Sequence, residues 1–201
     1  MQISAVSKEI NEWSGSVLIA GFLEGKIESQ INIYKTIIKD TFLSKRFNDF
    51  KFEGKKGQKV SIELIEGKVK KIIFVGLGPP ETLKIDDLRK AISTATRQVS
   101  DYEKKLGILF PWDAFEPASA AFSVGEAIRL SSMRDLRFKS EINEADPEYE
   151  VELIGLDINT TKSAIAEINP ICEGVKFARE LVSAPPNILT PYQMAKEAEK
   201  L

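Results

Sequence analysis

Val17 to Leu23 reads VLIAGFL, seven residues without a charged or polar side chain. A run of that length is too short for a buried helix and fits a strand covered on both faces. A second such run, Ile72 to Val75 within KKIIFV, and a third, Leu106 to Phe110, follow at intervals filled by helical patterns. Strands buried on both sides need layers above and below them. That requirement constrains the fold more than any other feature of the chain.

The intervening segments supply those layers. Ile31, Tyr34, Ile37, Ile38 and Phe42 recur at helical spacing, as do Leu88, Ala91, Ile92, Ala95 and Val99 within Asp86 to Ser100. Pro117 to Arg129 predicts a helix of small residues, with Ala120, Ala121, Val124, Ala127 and Ile128 allowing close approach to a sheet. Ile3 to Val6 and Tyr149 to Leu156 predict further strands. Val60, Ile62 and Leu64 alternate with polar residues, Glu66-Gly67 offers a turn, and the apolar run to Val75 resumes after it, which predicts an antiparallel hairpin with the second arm more buried. Asn169-Pro170 reads as a cap followed by a first-turn proline. The helix expected from there to about Val182 would bury Cys172, Val175, Ala178, Leu181 and Val182. Strands alternating with helices, plus one hairpin, predict a three-layer α/β domain (αβα) with a mixed, mostly parallel sheet.

A boundary is expected at Ser183-Ala184-Pro185-Pro186-Asn187, because adjacent prolines end a helix. This gives one domain over residues 1–182 and a linker with a new helix over 183–201. Thr190 can cap that helix, Pro191 suits its first turn, and Met194, Ala195, Ala198 and Leu201 begin an apolar face without a partner. An ending of this kind is expected of a piece of a longer protein.

Composition removes several kinds of chemistry. The 201 residues contain no histidine, which excludes Ser-His-Asp and Cys-His catalysis and His-ligated zinc within the chain. The single cysteine, Cys172, lies in an apolar pattern and reads as a buried structural thiol in a reducing compartment. No apolar run reaches the ~18 residues of a membrane span, and the first residues lack a signal pattern. A cytoplasmic protein without membrane contact is expected.

Net charge is −2, but residues 1–70 carry 12 Lys/Arg against 9 Asp/Glu. The basic part is Lys45, Arg46, Lys51, Lys55, Lys56 and Lys59, interleaved with Phe47, Phe50 and Phe52. Such a mixture can bind nucleic acid; the charge counts favour instead a solvated loop whose Phe side chains return to the core. Gly76-Leu77-Gly78-Pro79-Pro80 after a central strand has the position of a phosphate loop but lacks the third glycine or the Lys-Ser/Thr of the known fingerprints. Strand alternation puts Glu150 and Glu152 on one face, near Asp146 and Glu148, where two carboxylates can hold a metal; a solvent-facing, charged strand edge explains them too and is the favoured reading. On its residues alone, the chain carries no catalytic, cofactor-binding or metal site.

Ala178 to Pro191, ARELVSAPPNILTP, resembles the domain-junction signature of the leucyl aminopeptidase family, the M17 cytosol aminopeptidases. Arg179, Glu180, Leu181, Val182, Pro185, Pro186, Asn187, Leu189, Thr190 and Pro191 match, and Ser183 stands where Asn is usual. FEGKKGQ at Phe52 to Gln58, IIFVGLG at Ile72 to Gly78 and RFKSE at Arg137 to Glu141 follow the family order, the last resembling its plant and cyanobacterial branch. The resemblance implies a non-catalytic amino-terminal domain similar to a macro domain, joined to its own carboxy-terminal catalytic domain. That second domain would hold two divalent metals, zinc or manganese, supplying an activated water and a Lewis acid for removal of amino-terminal residues, Leu preferred, from peptide substrates. The whole would assemble as a homohexamer. The family's Gly-Lys-Gly…Phe-Asp-x-Gly-Gly and Asn-Thr-Asp-Ala-Glu-Gly-Arg runs are absent here, so no catalytic residue carries over. A macro-like fold also implies a nucleotide or ADP-ribose module as an alternative, and some bacterial members bind DNA.

Overall fold

In a computed structural model, which describes residues 1–35, 43–65, 67–138 and 147–200, six strands form one sheet in the order β1-β6-β5-β2-β4-β3. The strands are β1 (Gln2–Val6), β2 (Gly15–Leu23), β3 (Lys59–Glu63), β4 (Val69–Gly78), β5 (Lys105–Leu109) and β6 (Glu150–Ile154). All neighbours are parallel except β3, which runs antiparallel to β4 with Ile62 opposite Ile72. The predicted hairpin is therefore present, although Glu66 lies outside the described residues. Its first arm alternates exposed and buried residues and its second is almost wholly buried.

The helices are α1 (Ile27–Lys35), α2 (Leu43–Asp49), α3 (Ile85–Thr96), α4 (Pro117–Ser132), α5 (Ile158–Ser183) and α6 (Pro191–Glu199). On one face α3, α4 and α5 cover Val17, Ile19, Ile73, Val75, Leu106, Ile108, Val151 and Leu153. On the other, α1 and α2 cover Leu18, Ala20, Phe22, Ile72 and Phe74. β2 and β4 therefore bury both faces, as their unbroken apolar runs require, and the fold is a three-layer α/β sandwich. Each fully buried Leu, Ile or Phe contributes roughly 1.5–3 kcal/mol, so these two strands dominate the core. Phe22 is the hub of the second layer, with Tyr34, Phe47, Phe52 and Phe74 at 5.1–5.8 Å between ring centroids. Burial raises the Tyr34 hydroxyl far above its ordinary pKa. Of the first helical pattern, Ile31 and Tyr34 are buried; Ile37, Ile38 and Phe42 lie outside the described residues.

Two expectations fail in α5. The helix does not begin at Asn169-Pro170: it starts at Asp157, whose carboxylate accepts from the Thr160 amide at 2.8 Å, and runs through Pro170. Pro170 is exposed, so the carbonyl that loses its amide partner is left on the solvent side, and the apolar face at Ile168 and Cys172 stays continuous. The second failure is burial. Cys172 is buried, but Val175 and Leu181 are only half-buried, Ala178 is exposed, and Val182 is 87% exposed. The reason is length: α5 runs beside α4, with Ile168 against Gly125 and Glu173 paired to Arg129, and α4 stops at Ser132 while α5 continues to Ser183.

Candidate functional site

Sheets of this kind take ligands at the carboxyl ends of their strands, where adjacent strands send their connections to opposite faces. Here that place lies between β2 and β5, whose chains leave towards α1 and α4 on opposite sides. The protein fills it with its own atoms. Phe110 packs against Gly21 so closely that a Cβ there would stand 2.7 Å from the ring. Trp112 anchors the same turn by donating from Nε1 to the Ile154 carbonyl at 2.7 Å.

The neighbouring end of β4, Gly76 to Pro80, is closed by the loop of Phe52 to Gln58. The Gly76 amide donates to Gln58 O at 2.8 Å and the Gly78 amide to Gly54 O at 2.9 Å. Those are amides a phosphate would need, and prolines occupy the next two positions. Gln58 holds the loop in shape: its Oε1 accepts from the Glu53 and Lys55 amides, and its Nε2 donates to Lys51 O. Lys56 lays its stem over Gly78 and reaches Asp87 Oδ2 at 2.8 Å. Asp87 also accepts from the Lys84 amide at the start of α3. Burial would raise the Asp87 carboxyl, but Lys56 and the Lys84 amide outweigh it and lower it. The helix N-terminus thus carries the protein's own carboxylate. FEGKKGQ and IIFVGLG are two halves of one structural joint, and the arrangement offers a nucleotide no phosphate cradle.

The basic stretch divides in the same way. Phe47 and Phe52 return to the core, as expected, whereas Phe50 is 60% exposed. Lys45, Arg46, Lys51, Lys55, Lys56 and Lys59 are all exposed, but Lys55 pairs with Glu53 and Lys56 with Asp87.

Glu150 and Glu152 do share a face, on β6. Lys105 of β5 sits between them, 3.3 and 3.2 Å from their oxygens. Glu152 also accepts from the Trp13 indole at 2.7 Å. Burial pulls the Lys105 ammonium down, but its bonds to Glu152 and Glu150 prevail and raise it. Its charge and a neutral donor already satisfy the carboxylates that a metal would use, and Asp146 lies outside the described residues. Among the described residues no three His, Cys, Asp or Glu side chains gather as a metal would require. The described residues therefore do not fit the two divalent metals that the sequence resemblance implies. Cys172 is buried and its thiol is pushed up by that burial, which suits a structural side chain and disfavours a nucleophile. No helix among the described residues is long and apolar enough to cross a membrane.

What the sequence did not reveal is a polar joint at the end of α5. Arg137 grips Asp135 with two bonds of 2.9 and 2.8 Å and also donates to Glu180 O and Ser183 Oγ. Ser183 Oγ lies 2.7 Å from both Asp135 Oδ2 and Arg179 O. Arg179 in turn donates to the Leu130 carbonyl at the end of α4. The Arg137 and Ser183 bonds hold the Asp135 carboxyl well below the usual range. Arg137 and Ser183 belong to two motifs far apart in the sequence, and the fold brings them into contact. Ser183 thus has defined partners in the joint. Lys139, Ser140 and Glu141 of RFKSE lie outside the described residues.

Comparison with known proteins gives this geometry a lineage. Residues 20–141 match the model of the cytosol aminopeptidase family, N-terminal domain. A probable cytosol aminopeptidase of Prochlorococcus marinus strain MIT 9211 is 45% identical over 201 residues, all of this chain and 41% of that protein. Another, from Synechococcus sp. strain CC9311, is 36% identical over 204 residues, covering 100% of this chain and 40% of that protein. The chain thus spans about 41% of the length of the curated relatives it matches. Among solved structures, a tomato leucine aminopeptidase mutant shares the fold with a TM-score of 0.82 at 24% identity, over 100% of this chain and 42% of that one. The bottromycin maturation enzyme BotP in complex with Mn shares it at 0.65 and 22% identity, over 93% and 36%.

Proposed function

Because this chain belongs to the cytosol aminopeptidase family, whose amino-terminal domain it matches, we propose that it is the non-catalytic part of a leucyl aminopeptidase. The observation that carries this is the family match over residues 20–141, together with relatives aligned along the whole chain yet more than twice its length. In the complete protein a carboxy-terminal domain, beginning near Ser183, removes amino-terminal residues from peptides, Leu preferred. It does so with two divalent metal ions, manganese or zinc, held outside the 201 residues. Residues 1–182 form the domain that supports a cytoplasmic homohexamer and shields its active sites. We assign the domain no catalytic, cofactor or metal residue. The end of β4 is closed by the Gly54–Gln58 loop, and Phe110 packs on Gly21 of β2, which supports a structural role over nucleotide binding at those positions.

The test compares leucine p-nitroanilide hydrolysis, with added manganese, by the 201-residue chain and by the full-length product, with light scattering on both. We expect activity and a hexamer only in the longer protein. Hydrolysis by the 201-residue chain, or its stable assembly into a hexamer, overturns the proposal. A full-length protein inactive with every metal overturns its catalytic half.

A further inference from the structure

Past the end of α4, the last three turns of α5 flank a groove of about 550 Å³. Met133, Val175, Ala178 and Val182 supply its apolar wall, with Lys176 and Glu180 at its rim. Single exposed apolar residues are ordinary on protein surfaces. Val175, Ala178 and Val182 are different, because their i, i+3, i+7 spacing is one helical stripe. Val182, which ends that stripe, is among the most exposed large apolar residues of the chain at 87%. Beyond it Ile188, Tyr192 and Met194 are also exposed, and α6 buries none of its residues. The Arg137–Asp135–Ser183 joint pins the far side of the groove, so its walls are fixed before anything enters.

We propose that this groove is the seat of the chain that follows residue 201 in the full-length protein, which inserts apolar side chains between Met133 and Val182. The inference rests on the proposed function, since it needs the second domain. Two observations favour this occupant. Relatives that match all 201 residues continue for more than as many again, and α5 carries the stripe on the turns that lead directly into the connection towards α6. A tethered segment is present at an effective concentration in the millimolar range, which a free partner does not match. A second copy is a poorer fit: a two-fold contact sets the same concave surface against itself and leaves both grooves unfilled.

The test is maleimide labelling of Val182→Cys, read by peptide mass, in the 201-residue chain and in the full-length protein. Cys172 is buried and does not compete in the shorter chain. Lys162→Cys, exposed at the other end of α5, is the control. We expect Val182→Cys to label at least tenfold more slowly in the full-length protein, with Lys162→Cys unchanged. Equal rates for Val182→Cys in both proteins overturn the inference, and so does equal slowing at both positions. Slow labelling of the 201-residue chain that speeds up on dilution assigns the groove to a second copy and also overturns it. An active full-length enzyme that labels without slowing defeats the docking alone; protection without peptidase activity defeats the proposed function alone.

Discussion

The Trp13 indole lies across Gly107 and donates from Nε1 to Glu152, joining residues 139 positions apart in the chain. A Cβ on Gly107 would stand 2.6 Å from Trp13 Cζ2. Gly107→Ala is therefore expected to push the ring off the sheet and cost about 1–3 kcal/mol, the usual range for overpacking. Trp13→Phe keeps an aromatic side chain but loses part of the indole's volume and its donor, leaving a buried carboxylate with Lys105 alone, at a cost of about 1–3 kcal/mol for the lost bond and more for the cavity. Urea unfolding measures both; an unchanged midpoint in either variant shows that the indole is not the anchor.

Gly76 faces a backbone instead of a side chain. A Cβ there meets Lys55 O at 2.0 Å, and a carbonyl held by the loop cannot swing aside as a side chain can. Gly76→Ala should cost ~3 kcal/mol or more and raise hydrogen exchange at Gly76 and Gly78 together. Lys56→Ala removes a partly exposed ion pair and the stem over Gly78, and should cost about 1 kcal/mol, well below Gly76→Ala. Equal effects of the two would mean that the loop is held by its charge and not by its backbone bonds.

Pro170 sits in the middle of α5 with its side chain in solvent. Replacing it by alanine restores a helix amide and removes no buried contact. Pro170→Ala is expected to stabilise the chain by about 1–3 kcal/mol, raising the melting temperature in calorimetry. A lower melting temperature would argue that the helix is not continuous there.

The Asp135 carboxyl is depressed by its bonds to Arg137 and Ser183. A carboxylate with a lowered folded pKa stabilises the fold above its unfolded pKa, and that contribution fades as pH falls below it. Hydrogen exchange at Glu180 to Ser183 should thus be steady from pH 7 to 5, once corrected for intrinsic rates, and should accelerate below about 4. In Asp135→Asn the acceleration should be absent, with exchange already fast at pH 7. Parallel profiles would remove Asp135 from the joint.

How much of this could be read in the sequence depended on the range of the interactions. Runs such as Val17 to Leu23 and Ile72 to Val75 report burial directly, so β2, β4 and the layers around them were legible. The Thr190 cap was too, because its partner is the Gln193 amide three residues away. Local signals misled where a longer contact outweighed them. Asn169-Pro170 has the chemistry of a helix start, yet α5 continues through it, with Ile168 and Cys172 buried on its α4 side. The stripe at Val175 to Val182 was expected to be buried, since spacing reveals an apolar face but not whether this chain provides its cover. Glu150 and Glu152 read as a solvent-facing strand edge, but β6 lies between β1 and β5, and their partners Lys105 and Trp13 come from distant strands and turns that spacing does not reveal.

The sheet order has a consequence for the protein as it is made. Of the six strands β1 is synthesised first, and among the described residues it pairs only with β6, Gln2 beside Glu150. At 5–20 residues per second, roughly 7 to 30 seconds separate the two on the ribosome. Throughout that interval Ile3, Ala5 and Val6 have no strand to join, and Trp13 waits for Glu152. The amino terminus is therefore the last edge to close, and the emerging chain must carry an unpaired strand until nearly the whole sheet has left the exit tunnel.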